Sequence, residues 1–397
     1  MATLMSYFAP PIAGEWGDEA EDNTDGVPVL RTTNFTADGR LSYDDLTYRS
    51  IDTEKKENKI LQPGDIIIEK SGGTPKKPVG RCVYFDRDDD YDYFCSNFTA
   101  ILRANSEEVN TKYLWYILQE HYKTRQCLKY QYKTNGIANL DIKDYLSHKD
   151  VELPPREVQD KRVEAMDYSQ YLLDLHQELL EIMDNAVKSR FIEMFGDPVR
   201  NPMNWEKGVL KDITSKIGSG ATPKGGNASY KNEGISLIRS MNVHNGYFDY
   251  KGLAYIDGEQ AALLDNVNIE SKDVLLNITG ASVARCCVVP DDILPARVNQ
   301  HVCILRCKDD ILPMFLNAVL ISDQYQAKLW NIAEAGATRQ ALSKEKIETF
   351  QIILPPISLQ KQFANFVDLI DKSKLTIQKS MDNLRELRDS LLQEYFG

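Results

Sequence analysis

Two stretches of the chain, VELPPREVQ at residues 151–159 and IILPPISLQ at residues 352–360, share one pattern: a leucine, two prolines and, four residues after the second proline, a glutamine. Each stretch leads into a long run of polar and apolar residues that closes on a phenylalanine and a glycine. The copies are in register, with an offset of 201 residues between Pro154 and Pro355. Because solenoid repeats have periods of only about 20–50 residues, this offset predicts a duplicated domain.

The duplication extends upstream of both stretches. The segments that face each other with small gaps are VPVLRTTN (27–34) with ISLIRSMN (235–242), LQPGDIII (61–68) with IESKDVLL (269–276), and TAILR (99–103) with VCILR (302–306). Short apolar runs at 66–68 and 274–276 predict buried strands, and the spacing of apolar residues at 111–128 and 312–330 predicts helices. Each copy is therefore expected to form a mixed α/β globule.

The runs after the two proline pairs have the periodicity of long helices. The first run contains two rows of apolar residues. One row advances in steps of three and four residues: Leu172, Leu175, Leu179, Ile182 and Ala186. The other advances in steps of seven: Met166, Leu173, Leu180, Val187 and Met194. The row of the second run is Phe363, Ile370, Ile377, Leu384 and Leu391. Heptad rows of this kind form coiled-coil seams. A helix over residues 159–195 would be about 55 Å long.

Each seam needs a partner, and the other copy supplies one. The predicted fold class is therefore mixed α/β, with two duplicated globules separated by two long antiparallel coiled-coil helices. Pseudo-twofold symmetry would place the globules at opposite ends of a rod. The predicted segments are 1–155 and 205–357 for the globules, and 156–204 and 358–397 for the helices. The alternative is that each helix packs only on its own globule.

The bulk composition limits the classes of protein. The chain has 397 residues, seven cysteines and a net charge of −12. The absence of a signal sequence, of a long apolar run and of a disulfide framework predicts a reduced cytoplasmic protein with no membrane attachment. A protein that binds nucleic acid by itself is usually basic, because neutralising phosphates supplies much of the affinity. Nucleic-acid binding would therefore need local basic surfaces or basic partners.

Several segments resemble catalytic motifs but lack a required feature. In GDIIIEK (64–70) the glutamate and lysine are adjacent, whereas a nuclease core has one residue between them. The proline pairs lack the flanking residues of the adenine methyltransferase motif, and GSGATPKGG (218–226) is not a Walker loop. The cysteines at 286, 287, 303 and 307 contain no C-x-x-C pair, so core strand positions explain them better than zinc binding. The chain is therefore predicted not to be an enzyme.

The second globule ends in GATRQALSKEKIETFQIILPP (336–356), with the pattern G-x-T-R-x-x-L-S…I-x-x-F-x-I-x-L-P-P. This pattern, the doubled Leu-Pro-Pro and the alternation of globule and helix resemble the specificity subunit of type I restriction-modification systems. The first copy, NGIANLDIKDYLSHKDVELPP (135–155), keeps Gly136, Leu140 and the prolines but has no Thr-Arg pair. The resemblance covers nearly the whole chain.

The resemblance implies two target recognition domains, each reading one half of an asymmetric, bipartite sequence in double-stranded DNA, with the helices setting the spacing. It also implies partners: two adenine methyltransferase (modification) subunits that carry S-adenosylmethionine, and motor-nuclease (restriction) subunits that use ATP and Mg. This chain itself is expected to bind no cofactor and no metal. The alternatives are a coiled-coil scaffold that does not read DNA, and an enzyme assembled from scattered residues.

Candidate DNA contacts come from segments that are basic or rich in base-reading side chains. In the first copy, KSGGTPKKPVGRC (70–82) and HYKTRQCLKYQYKTNG (121–136) contain no acidic residue. They supply Lys70, Ser71, Thr74, Lys76, Lys77, Arg81, Lys129, Tyr132 and Lys133. The second copy supplies Arg239, Asn242, Arg285, Asn299, Gln300, His301, Thr338, Arg339 and Gln340. Arg, Asn and Gln make paired hydrogen bonds to base edges, and lysines contact phosphates.

Overall fold

The chain forms two compact units, one comprising residues 1–176 and 379–397 and the other residues 177–378. In this computed structural model the described residues are 2–20, 26–74, 77–105, 109–223, 225–334 and 340–397, without the side chain of Asn227. No helix in the described part of the chain is both long and apolar enough to cross a bilayer.

The first unit contains short strands, two helices of its own and parts of two long helices. Its strands are β1 (Ala2–Thr3), β2 (Ile12–Ala13), β3 (Asp18–Glu19), β4 (Val27–Leu30), β5 (Thr47–Ser50), β6 (Ile66–Glu69), β7 (Ser71–Gly73), β8 (Cys82–Tyr84), β9 (Phe94–Cys95), β10 (Thr99–Leu102), β11 (Gln131–Thr134), β12 (Ile137–Leu140) and β13 (Asp150–Val151). Its helices are α1 (Thr111–Lys123) and α2 (Ile142–Ser147), followed by the start of α3 (Arg156–Phe195).

The sheets of the first unit enclose its core. One four-stranded sheet has the antiparallel order β2-β10-β6-β8, and another has the order β3-β5-β4-β9, in which β4 and β9 run parallel. Strand β1 pairs with β13, and a three-stranded sheet has the order β11-β12-β7. Helix α1 buries Leu114 and Trp115 in the same cluster as Ile66 and Ile68 of β6. The sheet β2-β10-β6-β8 therefore has α1 on one face.

The second unit has a closely similar set of elements. Its strands are β14 (Lys207–Val209), β15 (Thr214–Ser219), β16 (Ile235–Ile238), β17 (Val243–His244), β18 (Tyr247–Phe248), β19 (Ala254–Ile256), β20 (Val274–Asn277), β21 (Cys286–Val288), β22 (Ala296–Val298), β23 (Val302–Cys307) and β24 (Gln351–Ile353). Its helices are α4 (Leu210–Ile213), α5 (Gly258–Ala262), α6 (Pro313–Ile321), α7 (Asp323–Glu334), α8 (Lys344–Glu348) and the start of α9 (Ile357–Phe396).

The strand orders of the two units correspond. The order β15-β23-β20-β21 matches β2-β10-β6-β8, and β19-β16-β22 matches β5-β4-β9, with β16 and β22 again parallel. The pair β14-β24 matches β1-β13. The predicted duplication and the predicted mixed α/β fold class are confirmed. The relative placement of the two globules stays a prediction.

Segments of α3 and α9 pack against each other within each unit. Residue numbers rise along α3 as they fall along α9, in the contacts Arg162–Tyr395 and His176–Ser380 of the first unit, and Asp184–Lys374 and Phe195–Phe363 of the second. The helix segments are therefore antiparallel in both units. This corrects the alternative in which each helix packs only on its own globule.

Only one of the two predicted apolar rows on α3 is buried. Met166 is completely buried, and Leu173 and Leu180 are each 9% exposed. In the other row, Leu175 is 44% exposed and Ile182 is 55% exposed. The expectation that both rows form seams was wrong, because the packed faces of α3 follow the seven-residue row.

The repeated glutamine has one role in both units. The Gln159 carboxamide oxygen accepts the Asn110 backbone N–H at 2.9 Å, and its nitrogen donates to the Pro154 carbonyl at 2.8 Å. Gln360 does the same with the Leu312 N–H (2.8 Å) and the Pro355 carbonyl (2.9 Å). Both glutamines are buried. Each therefore joins the proline turn before a long helix to the beginning of α1 or α6, which explains why the chain repeats this pattern.

An ion pair between an arginine and a buried aspartate is repeated as well. Arg103 at the end of β10 binds Asp65 before β6, with nitrogen–oxygen distances of 2.8 and 2.7 Å. Arg306 of β23 binds Asp273 before β20, at 2.8 Å in both hydrogen bonds. Hydrogen bonding to the aspartate raises the pKa of each arginine above its ordinary value. These pairs fix the start of the central strand in both sheets.

Two helix predictions need correction. The segment 111–128 was expected to be one helix, but α1 ends at Lys123 and a short 3-10 segment, Gln126–Tyr130, follows. Arg125 between them has a φ of 58°, which a continuous helix does not permit. The segment 312–330 divides into α6 and α7 at Ser322, whose backbone is extended.

Candidate nucleic-acid interface

In the first unit, three segments meet at one edge of the sheet β2-β10-β6-β8. They are residues 70–74 and 77–81 after β6, the turn 96–98 before β10, and the ribbon formed by β11 and β12 together with the 3-10 segment Gln126–Tyr130 before it. The Lys70 N–H donates to the Phe98 carbonyl at 2.9 Å, and the Ser71 hydroxyl donates to Asn139 at 2.6 Å. The Gln131 amide donates to the Val79 carbonyl at 2.9 Å. We call this group of segments the first edge.

Most of the candidate residues of the first copy lie on the first edge. Thr74, Lys77, Lys129, Tyr132 and Lys133 are exposed, and Lys70 and Ser71 are half-buried. Within this segment, residues 71–73 form strand β7 beside β12. Lys76 lies outside the described residues.

Arg81 is an exception. Its guanidinium binds the Glu69 carboxylate at 3.0 Å, and that carboxylate side chain is only 5% exposed. Arg81 also donates to the Thr32 carbonyl at 3.3 Å and lies over the Phe35 ring. The donors of Arg81 are therefore used inside the protein, and we revise it from a DNA contact to a structural residue.

The second unit has an equivalent edge. It comprises residues 220–222 after β15, the loop 278–285 between β20 and β21, residues 239–248 with the hairpin of β17 and β18, the turn 299–301 and Gln340. His301 and Thr279 are hydrogen-bonded at 2.6 Å, and Gln300 contacts both Thr222 and His301. The Gly280 N–H donates to the Gln340 carbonyl at 3.0 Å. We call this group the second edge.

The structure brings several second-copy candidates to the second edge. Gln300 is exposed, while Arg285, His301 and Gln340 are half-buried. Arg239 is half-buried, donates to the Gly252 carbonyl and lies over the Tyr230 ring. Thr338 and Arg339 lie outside the described residues.

Two candidate asparagines are interior residues. Asn242 is completely buried; its side-chain oxygen accepts the Arg239 N–H, and its nitrogen donates to the Asp249 carbonyl at 2.9 Å. Asn299 is 4% exposed and accepts the His301 N–H at 2.9 Å. Their assignment as base contacts is revised, because these hydrogen bonds hold the backbone turns of the edge. Sequence type alone does not distinguish such an asparagine from a surface one.

Sequence reasoning missed some exposed residues of the edges. Phe98 is 47% exposed in the turn that corresponds to Gln300 and His301. Tyr247 is 58% exposed, and its ring stacks on His244 with centroids 4.8 Å apart. The Asn-Gly pair at 245–246 is a hairpin signal that could have indicated this element.

The buried cysteines have no catalytic environment. Burial raises the pKa of Cys287 and of Cys303 to about 12, so both remain thiols at neutral pH. In the described parts of the chain, no His, Cys, Asp or Glu side chains form a group of three suited to a metal ion. The chemistry offered by both edges is hydrogen bonding, positive charge and aromatic contact.

The comparison with protein families is decisive. The family model described as the type I restriction modification DNA specificity domain matches the chain twice, at residues 13–182 and 202–384. The chain belongs to this family. Each matched region contains one globule and much of the long helix after it. The protein is therefore a specificity subunit with two DNA specificity domains, as the sequence resemblance predicted.

Individual relatives agree with the family. A putative type I restriction enzyme MjaX specificity subunit from Methanocaldococcus jannaschii is 22% identical, over 94% of this chain and 88% of its own length. The type I restriction enzyme EcoBI specificity subunit of Escherichia coli is 25% identical, over 54% of this chain and 45% of its own.

Solved structures share the fold of this specificity subunit. A chain from a study of complex assembly and conformational transition in a type I R-M system has a TM-score of 0.59 and 16% identity, over 100% of this chain and 96% of that one. The S subunit of a type I system from M. genitalium has a TM-score of 0.55 and 16% identity, over 100% of this chain and 95% of that one.

Proposed function

We propose that this specificity subunit reads an asymmetric, bipartite target in double-stranded DNA, with each edge reading one half. One observation supports this most directly: the two units share a scaffold but carry different side chains at corresponding places on their edges. The turn before β10 presents Phe98, and the corresponding turn before β23 presents Gln300 and His301. Similar scaffolds with different reading side chains should select different bases.

The proposed contacts follow from exposure and hydrogen bonding. On the first edge they are Lys70, Ser71, Thr74, Lys77, Lys129, Tyr132 and Lys133, and on the second Arg239, Arg285, Gln300, His301 and Gln340. Lys129 and Lys133 form no ion pair within the described residues, so their charges are free to meet phosphates. Although the net charge of the chain is −12, these lysines form the local basic surface that DNA binding needs.

The proposal extends to partners and cofactors. The long helices would dock two adenine methyltransferase subunits, which would hold S-adenosylmethionine, and motor-nuclease subunits would supply the use of ATP and Mg. The specificity subunit itself would bind no cofactor, catalyse no reaction and work in the cytoplasm. Buried cysteine thiols and edges of lysine, amide and aromatic side chains support a binding role for this chain.

Exchanging one globule tests the division of reading. Residues 205–354 would be replaced by the corresponding globule of a relative, and the chimaera assembled with the methyltransferase subunits of this system. Genome-wide mapping of methylated sites should show one half-site changed, with the other half and the activity retained. A palindromic new motif, or a change in both halves, would contradict separate reading.

The purified chain provides the control for catalysis and for the scaffold alternative. Alone, it should not methylate or cut DNA, whereas its addition to the methyltransferase subunits should direct methylation to one motif. Methylation by the chain alone would contradict the binding role. A complex whose motif does not depend on this chain would favour a scaffold.

A further inference from the structure

The ribbon of β11 and β12 projects from the first unit. Six consecutive residues, 132–137, are exposed although the two strands are paired in register from Gln131–Leu140 to Thr134–Ile137. The strands are joined by two residues, Asn135 and Gly136, with φ values of 49° and 80°. Two positive φ values in a two-residue loop are those of a type I′ turn, which matches the twist of a hairpin. The ribbon is thus a regular element directed into solvent.

The ribbon is held by hydrogen bonds at its base and by strand pairing along the outer edge of β12. The Asn139 side chain accepts the Ser71 hydroxyl at 2.6 Å and donates to the Thr134 hydroxyl at 2.7 Å. Strand β12 also pairs with β7, and Leu140 is buried in the core of the unit. A ribbon ordered before binding loses less conformational freedom when it meets a ligand.

The exposed side chains divide by face. Residues paired across a ladder share a face, so Tyr132, Thr134, Ile137 and Asn139 lie on one side. Tyr132 is 52% exposed and Ile137 is 45% exposed. Lys133 points to the opposite face, and Lys129 lies just before the ribbon. No acidic residue occurs from 121 to 140. One face offers hydroxyl, aromatic and aliphatic groups, and its surroundings are positively charged.

We infer that this ribbon lies in the major groove of DNA, with the face of Tyr132, Thr134 and Ile137 toward base edges and with Lys129 and Lys133 at phosphates. A two-stranded ribbon fits the major groove, which is about 12 Å wide. Hydroxyl groups can bond base edges there, and an aliphatic side chain can contact the thymine methyl group. In the described residues of the second unit, the corresponding pairing is a single antiparallel bridge between Thr279 and Ala341. The inference rests on the proposed function and assigns the half-site of the first unit to this element.

The test uses the complete chain assembled with its methyltransferase subunits and a duplex carrying the wild-type methylation motif. Tyr132→Ala and Ile137→Ala should each relax selection at one or two adjacent base pairs of one half-site, with discrimination reduced roughly tenfold. The other half-site should not change. Lys133→Gln should instead weaken binding to all sequences alike and lower the salt dependence. Tyr91→Ala is the matched control, since this tyrosine of the same unit is 63% exposed and outside the edge.

Base analogues test the groove itself. A 7-deazapurine in place of a purine, or uracil in place of thymine, changes only the major-groove edge of the base pair. At the base pairs whose selection is relaxed in the ribbon variants, these analogues should reduce discrimination by the wild-type complex to a similar extent. Ribbon variants that leave both half-sites unchanged, or a half-site insensitive to both analogues, would overturn the inference. The wild-type complex must first methylate a motif that depends on this chain. If it does not, the proposed function fails, and this result is distinct from a failure of the ribbon variants to change that motif.

Discussion

The first and second edges stand on equivalent strands yet differ in chemistry. The first combines a lysine-rich segment, the exposed ring of Phe98 and a paired ribbon, whereas the second combines His301, Gln300 and the hairpin of His244 and Tyr247. Below the edges the two sheets share their strand order and their buried Asp–Arg pairs. The buried strands therefore keep the same arrangement in both units, while the loops at one edge differ because they bury little apolar surface.

The two units differ at one strand position, and this difference changes the role of a nearby arginine. Position 69 at the end of β6 is a glutamate that holds Arg81, and the corresponding position 277 of β20 is a buried asparagine. Asn277 instead donates to the Ser240 carbonyl at 2.8 Å. Arg285, the counterpart of Arg81, has no carboxylate partner among the described residues and contacts His244 at 3.5 Å. The same arginine is therefore structural in one unit and available at the edge of the other.

The largest effect is expected from removing the buried aspartates, which tests whether the two units depend equally on their Asp–Arg pairs for stability. Asp65→Ala and Asp273→Ala should each lower the stability of its own unit by about 3 kcal/mol, because a half-buried arginine loses the hydrogen bonds to its buried carboxylate. Hydrogen exchange of the β6 and β20 amides reports the two units separately. Asp65→Asn and Asp273→Asn keep the side-chain volume and should cost less. A large loss in only one unit would break the equivalence.

Replacing the two corresponding arginines, Arg81 and Arg285, should affect stability in the first unit and base discrimination in the second. Arg81→Ala should cost about 3 kcal/mol in the first unit, since Glu69 would remain buried and unpaired. Arg285→Ala should change the stability of the second unit by less than about 0.5 kcal/mol but reduce base discrimination by the assembled complex. Thermal unfolding and competition binding measure the two quantities. Equal stability losses for both variants would contradict the different roles.

The repeated glutamines provide a smaller test. Gln159→Ala and Gln360→Ala should each cost about 1–3 kcal/mol, because a buried N–H and a buried carbonyl lose their partners. The Gln360 loss should be the larger, since its amide also donates to the Asp310 carbonyl at 3.1 Å. Gln177→Ala, at an exposed position of α3, serves as the control. Hydrogen exchange at the first turns of α1 and α6 should rise only in the variants of the buried glutamines.

The smallest effect concerns the turn before the central strand. Gly64 has a φ of 99°, and its counterpart Lys272 has a φ of 68°. Lys272→Gly should stabilise the second unit by up to about 1 kcal/mol, and Gly64→Ala should destabilise the first by a similar amount. Calorimetry can detect shifts of this size, with Gly258→Ala as a control at a position with open space and no positive φ. Destabilisation by Lys272→Gly would show that the lysine side chain contributes more than its backbone strain costs.

Sequence patterns were most informative where they concern local periodicity. Strand β6 and the long helices followed from apolar runs and heptad rows, and the duplication followed from aligned segments. The burial of one α3 row rather than the other could not be predicted, because both rows are apolar and only packing chooses between them. The ribbon was missed although Asn-Gly at 135–136 is a hairpin signal, since the segment was considered only for its basic and aromatic residues.

The residues alone were enough to establish that the chain is a duplication of globule and helix, and which family it resembles. These features depend on the order and spacing of residues along the chain, which the sequence contains directly. The contacts of the folded chain were needed to show that Arg81 is neutralised, that Asn242 and Asn299 support turns, and that the ribbon lies beside the lysine-rich segment. Such outcomes depend on contacts between residues that are distant in sequence: Arg81 contacts Glu69 across two strands, and Ser71 contacts Asn139, 68 positions further along the chain. Burial and pairing arise when strands assemble, so a residue type alone cannot specify them.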